Sequence, residues 1–150
     1  MTILFVCTGN TCRSPMAEAM LRNTLAEAGV SGVAVRSAGL CAHPGAPMSY
    51  GATNELYRRG IPFYCTRAQR LEEDMTRDAL ILTMTAWQKK DVLRLFPGAR
   101  VQTVNECAGL PGEIADPYMG GDVAYRRAAD QIEAAVNIIA EKIRSGEWEG

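Results

Sequence analysis

Close to the start of the chain, the run Cys7-Thr8-Gly9-Asn10-Thr11-Cys12-Arg13-Ser14-Pro15 gathers a thiol, a turn glycine, an arginine and hydroxyls within one short span. A buried strand, Ile3-Leu4-Phe5-Val6, precedes it and a helical pattern follows from about Pro15. A helix start leaves backbone N–H groups unpaired and carries the positive end of the helix dipole, so it favours an anion. A turn whose amides point inward makes a nest for a phosphate-like group. Arg13 adds a planar fork that grips two oxygens of such an anion. Cys7, at the bottom of the nest, is expected to sit as a thiolate, the nucleophilic form of the side chain. These residue types in this order predict phosphoryl transfer through a cysteine. The plainer alternative is a buried strand-end cysteine beside a solvated arginine. It does not account for the glycine, asparagine and serine that fall where an anion site needs them.

The rest of the chain supplies elements to position this run. Thr2 to Val6 is apolar throughout, as in a central parallel strand. After Pro15, apolar positions recur three and four apart from Ala17 through Met20, Leu21, Thr24 and Leu25 to Ala28, and Gly29 closes the helix. Val33 to Val35 reads as a second strand, ending at Arg36-Ser37-Ala38-Gly39. Residues 40 to 48 form a proline- and glycine-rich loop, in which His43 is given no role. Ser49 to Arg59 is a helix closed by Gly60, and Leu71 to Thr76 a short one. Ala79 to Thr83 is a third strand. Thr85 and Gln88 form a capping box for a helix through Phe96, and Val101 to Val104 is a fourth strand. Residues 105 to 121 read as a long loop carrying Asp116-Pro117-Tyr118. Asp122 is expected to cap a final helix to about Arg144, with its stripe at Tyr125, Ala128, Ala129, Ile132, Val136, Ile139 and Ile143. The alternation predicts an α/β fold over residues 1–150: one domain in three layers, a four-stranded parallel sheet with helices on both faces.

Composition narrows the function. The chain is 47% hydrophobic and 22% charged, with a net charge of −1, which gives no general attraction to nucleic acid or an anionic membrane. No apolar run approaches a membrane span, and no basic segment precedes the first strand; a cytoplasmic location is expected. The five cysteines, Cys7, Cys12, Cys41, Cys65 and Cys107, are irregularly spaced, unlike a disulfide framework. With no C-x-x-C pair and a single histidine, no metal and no cofactor is expected.

Cys7 to Ser14 match the cysteine-x5-arginine-serine signature of the cysteine-based phosphatases. The string C-T-G-N-T-C-R-S-P at the N-terminus resembles the low-molecular-weight protein tyrosine phosphatase family, and the resemblance runs over essentially the whole chain. Thr11 looks like the bacterial protein arginine phosphatases, where members acting on phosphotyrosine usually carry a bulky aliphatic residue. The resemblance implies a cysteinyl-phosphate on Cys7, with Arg13 and the amides of Thr8, Gly9, Asn10, Thr11 and Cys12 around the phosphate oxygens. It further implies that Asp116, in the family's aspartate-proline-aromatic loop, is the general acid. Ser14 looks like the hydroxyl that bonds the Cys7 sulfur, Ser37 a support for the loop through Asn10, and Tyr118 a wall of the substrate pocket. Family members commonly carry a histidine where this chain has Cys65, which removes one expected support; Cys65 also fits plain core packing.

Two substrate readings stay close, and phosphoarginine in proteins is the expected one, with phosphotyrosine as the alternative. Thr11 and Asp116 suit the donors of a phosphoarginine guanidinium, whereas Tyr118 also suits the ring of phosphotyrosine. Leu40-Cys41-Ala42 offers no aromatic for a second wall. The partner is a phosphorylated protein, and a monomer is expected. Arsenate reduction uses a similar loop with two further resolving cysteines, but Leu80 to Phe96 contains none. A non-enzymatic phosphate-binding module would need neither Cys7 nor Asp116. Cys12, close to Cys7, is expected to trap its oxidised form as a disulfide.

Overall fold

The computed structural model describes residues 1–64 and 66–147; Cys65, whose packing and missing support were considered above, lies outside them. The first strand, β1 (Thr2–Cys7), is the centre of the molecule. Successive side chains of a strand face opposite sides. Ile3, Phe5 and Cys7 join one apolar cluster while Leu4 and Val6 join another. Burial on both faces is why this strand shows no polar alternation. It pairs in parallel with β2 (Ala34–Gly39) on one side and β3 (Ala79–Thr83) on the other, and β3 pairs in parallel with β4 (Arg100–Thr103). The order is β2-β1-β3-β4. The chain thus leaves β1 for one neighbour and returns to its other. The carboxyl end of β1 is a topological switch point, where an open α/β sheet forms its ligand crevice.

Helices cover both faces. On the Ile3 and Phe5 side lie α1 (Arg13–Glu27), α2 (Tyr50–Arg58), α5 (Val104–Ala108) and α6 (Gly121–Arg144); on the Leu4 and Val6 side lie α3 (Glu73–Thr76) and α4 (Ala86–Leu95). The result is the expected three-layer α/β arrangement around a four-stranded parallel sheet. Ser49 caps α2 by accepting from the Ala52 N–H, and Thr85 with Gln88 forms the capping box of α4. No described helix is long and apolar enough to cross a membrane.

Boundaries differ in several places; β4 begins at Arg100 and gives up Val104 to the next helix, and α3 begins at Glu73, not Leu71. The helix α1 starts at Arg13, not Pro15, and Arg13 through Leu21 are all buried, whereas Ala28 is exposed. The front of this helix packs against β1, β2, α2 and α6, so both polar and apolar positions are covered there. The second strand excludes Val33 and extends to Gly39. Within the expected loop after residue 104, α5 forms over five residues with a Thr103–Glu106 capping box and Gly109 at φ +76° closing it. Asp122 does not cap α6; Gly120 does, and Asp122 sits in the first turn, where a carboxylate suits the helix dipole. A side chain does not fit at Gly120, because a Cβ there would lie 2.5 Å from that of Ala124.

Candidate active site

The run from Cys7 to Ser14 closes into a loop because its neighbours hold it at both ends. The carbonyl oxygens of Cys7 and Thr8 accept from the N–H groups of Leu40 (3.0 Å) and Cys41 (2.9 Å), and that of Thr11 accepts from Ser49 N–H (2.9 Å). The segment after β2 is thereby strapped along the loop. Gly39, opposite Cys7 in the sheet register, permits the approach: a Cβ there would lie 2.8 Å from the Thr8 oxygen. Thr8 is held from the other side, its hydroxyl accepting from Gln88 Nε2 of α4 at 3.2 Å.

Asn10 turns the loop. Its φ of +57° is left-handed, a region that asparagine tolerates better than most residues. Its buried amide is fully used. One Nδ2 proton goes to Ser14 Oγ (2.9 Å), the other to Ser37 Oγ (3.0 Å), and Oδ1 accepts from Gln69 N–H (2.9 Å). Ser37 passes its own proton to Glu18 Oε1 at 2.8 Å, and Glu18 pairs with Arg22 at 2.8 Å. Ser14 Oγ lies 2.9 Å from Cys7 Sγ. With the Asn10 proton on one of its lone pairs, Ser14 keeps its single O–H free to donate to a sulfur anion at Cys7.

Arg13 is 5% exposed. Its Nη1 donates to the carbonyl oxygen of Ile114 at 3.0 Å, and Nη2 lies 3.7 Å from Asp116 Oδ2. Asp116 has a side chain 60% exposed, and its Oδ1 accepts the Tyr118 N–H at 3.0 Å. That Asx turn fixes one oxygen and leaves Oδ2 toward the loop. Cys12 turns elsewhere: its sulfur donates to Ser49 Oγ at 3.3 Å and lies 3.2 Å from the Tyr125 hydroxyl. Burial, reinforced by the bond to Cys12, pushes the Tyr125 hydroxyl up to about 12. The Tyr125 ring fits because position 51 is glycine; a Cβ there would lie 2.5 Å from ring carbons.

A cavity of about 290 Å³ opens at this point, lined by Cys7, Thr8, Gly9, Thr11, Cys12 and Arg13, with Asp116 and Tyr118 from the later loop and His43 and Ala46 from the segment after β2. The structure brings together Cys7, Arg13, Asp116, Thr11 and Tyr118. Asn10, Ser14 and Ser37 do not line the cavity; they stand behind it. Sequence reasoning gave His43 no role, yet it lines the wall. It also missed Glu18, Gln69, Gln88, Ser49 and Tyr125; only Glu18 and Arg22, four apart on α1, carried a readable signal. A larger hollow of about 380 Å³, lined among others by Ala19, Met48, Pro62 and Phe63, includes no residue from Cys7 to Ser14. Among the described residues no group of three or more His, Cys, Asp or Glu side chains is placed to hold a metal ion.

Comparison with known proteins places this geometry. Residues 2–147 match the family model of low molecular weight phosphotyrosine protein phosphatases. A protein-arginine-phosphatase of Geobacillus stearothermophilus is 38% identical over 95% of this chain and 96% of its own. A probable low molecular weight protein-tyrosine-phosphatase, EpsP, of Ralstonia nicotianae is 37% identical over 96% of this chain and 97% of its own. Among solved structures, YwlE arginine phosphatase as a C7S mutant with phosphorylated active site serine superposes with a TM-score of 0.90, at 33% identity over 95% of both chains. With a family match along almost its full length and relatives this similar on both sides, the chain belongs to the low molecular weight phosphotyrosine protein phosphatase family.

Proposed function

We propose that this phosphatase hydrolyses phosphoarginine in proteins, with Cys7 as nucleophile and Asp116 as general acid. The observation that carries the choice is Thr11, whose position lines the cavity together with Cys7, Arg13 and Asp116. A hydroxyl beside a carboxylate suits the N–H groups of a guanidinium. The Geobacillus relative, named a protein-arginine-phosphatase, supports it.

In the first step the Cys7 sulfur attacks phosphorus, an S–P bond forms and the P–N bond breaks. Asp116 Oδ2 gives its proton to the departing nitrogen, so the leaving group exits without a stranded charge. Loop amides and the Arg13 guanidinium hold the equatorial oxygens as charge spreads over them. Ser14 steadies the sulfur as it later leaves. In the second step Asp116 takes a proton from water as its oxygen attacks phosphorus. The S–P bond breaks, and inorganic phosphate and the sulfur anion are released. The phosphorylated active site serine of the YwlE C7S mutant supports a covalent intermediate of this kind. The free thiols of Cys7, Cys12, Cys41 and Cys107 fit a cytoplasmic location.

One observation favours a second reading. Tyr118, on the cavity wall and 72% exposed, offers an aromatic face to a phenol, which supports phosphotyrosine. Measuring kcat/KM on matched phosphoarginine and phosphotyrosine peptides decides between them. The wild type is expected to prefer phosphoarginine and Thr11→Ile to shift toward phosphotyrosine. A wild type that prefers phosphotyrosine overturns the assignment.

A further inference from the structure

The cavity holding Cys7 encloses about 290 Å³, just below the roughly 300–1,000 Å³ of sites that engulf a drug-sized ligand. It takes one phosphorylated side chain, and the main chain of a protein substrate must cross its rim. On one side the cavity is lined by Tyr118, and one and five positions later come Met119 and, in the first turn of α6, Val123, 87% and 80% exposed. Single exposed apolar side chains are ordinary; three large ones within six residues, the first of them on the cavity wall, need an explanation.

The backbone sharpens the case. Met119 has a φ of +65°, a conformation that disfavours any residue with a Cβ. The turn is closed by Gly120 N–H donating to the Pro117 oxygen at 2.9 Å. Gly120 is there because a Cβ does not fit, so the glycine serves packing. The neighbouring position, where backbone conformation calls for glycine, carries a methionine that packs into neither apolar cluster. Strain held without a folded-state return points to a use outside the fold. Methionine is the apolar side chain best suited to moulding against varied surfaces. Asp116 and Asp122, flanking this stretch, disfavour an acidic occupant.

We infer that Met119 and Val123 form an apolar lip that binds an aliphatic or aromatic side chain lying one or two positions from the phosphorylated residue of the substrate. The inference rests on the reading above that the substrate is a phosphorylated protein. It extends that reading from the reacting group to the surrounding polypeptide.

The test uses phosphopeptides carrying the phosphoresidue the enzyme prefers, identical except for Leu or Ser beside it, together with p-nitrophenyl phosphate, which has no main chain. The wild type is expected to favour the Leu peptide in kcat/KM by about fivefold to tenfold, the contribution of partly burying one aliphatic side chain. The Met119→Gly, Val123→Ser double variant levels the two peptides and keeps p-nitrophenyl phosphate turnover within about twofold. Met119→Gly alone does not lower the thermal midpoint, since glycine suits that φ. Equal turnover of the two peptides by the wild type would overturn this inference alone. So would a parallel loss on peptides and p-nitrophenyl phosphate in the double variant. Turnover of p-nitrophenyl phosphate with neither peptide cleaved would overturn the protein-substrate reading as well.

Discussion

Replacing Asn10 separates the polar and backbone contributions to the loop. Its amide makes three hydrogen bonds, to Ser14, Ser37 and the Gln69 N–H, and the residue is 4% exposed, so water replaces them poorly. At about 1 kcal/mol net for each bond, Asn10→Ala costs about 3 kcal/mol. The left-handed φ adds roughly 1 kcal/mol for alanine. A total of about 4 kcal/mol is a large share of the 5–15 kcal/mol typical of a domain, and for a chain of this size it lowers the thermal midpoint by about 8–16 °C. Asn10→Gly loses the same bonds without the conformational term and falls about 1 kcal/mol less far. Asn10→Asp keeps the acceptor for Gln69 but loses both donors, and places a carboxylate against Ser14. All three release Ser14 from its orientation toward Cys7, and kcat on p-nitrophenyl phosphate is expected to drop about 10- to 100-fold. Urea unfolding with parallel steady-state kinetics measures both effects. Alanine and glycine variants of equal stability would remove the backbone term. A loss under about 1 kcal/mol in every variant would refute the hydrogen-bond accounting itself.

Mild peroxide is expected to inactivate the enzyme reversibly. Cys7 is oxidised to a sulfenic acid, which the Cys12 thiol condenses with, expelling water and leaving a disulfide that a thiol reductant reopens. Cys12 must first leave the hydroxyls of Ser49 and Tyr125; mass spectrometry reads the bond, and a Cys12→Ser variant that recovers as fully as wild type excludes it. Stability is expected to decline in alkali. Burial holds the Cys107 thiol up at about 11 against an ordinary 9.0, and the Tyr125 hydroxyl at about 12 against 10.0. The unfolded chain therefore loses these protons first, and unfolding free energy falls between about pH 9 and pH 12. Urea midpoints across that range should flatten in a Cys107→Ala, Tyr125→Phe double variant, and an unchanged slope would count against both burial effects.

Where hydrophobic periodicity is strong, the chain announces its own architecture. The unbroken apolar runs of β1 and β3 and the stripe from Ala128 to Ile139 correspond to the most buried parts of the molecule. The Cys7-to-Ser14 run was legible because strand, turn and helix start adjoin in sequence, so their geometry is local. Short elements were harder. The five residues of α5 are too few for a periodic signal, although Thr103 and Glu106 stand at capping-box spacing. Asp122 misled because its residue type favours a cap, while the packing of Ala124 selected Gly120. Behind the site, Gln69, Gln88 and Tyr125 arrive from 59, 80 and 113 positions away from their loop partners. No spacing rule encodes such meetings, because the order of the sheet brings them together.

Arg13 is anchored by the peptide oxygen of Ile114, whose own N–H donates to the Met84 oxygen at the end of β3. A main-chain oxygen cannot be deleted by changing a side chain, so the bond to Arg13 does not depend on the chemistry of residue 114 so long as an apolar side chain fills its buried place. Positions of the acid-bearing segment that neither fill the core nor line the cavity can vary while the guanidinium stays aimed. An insertion or deletion between Met84 and Asp116 that shifts the path of Ile114 would disarm the enzyme at a stroke.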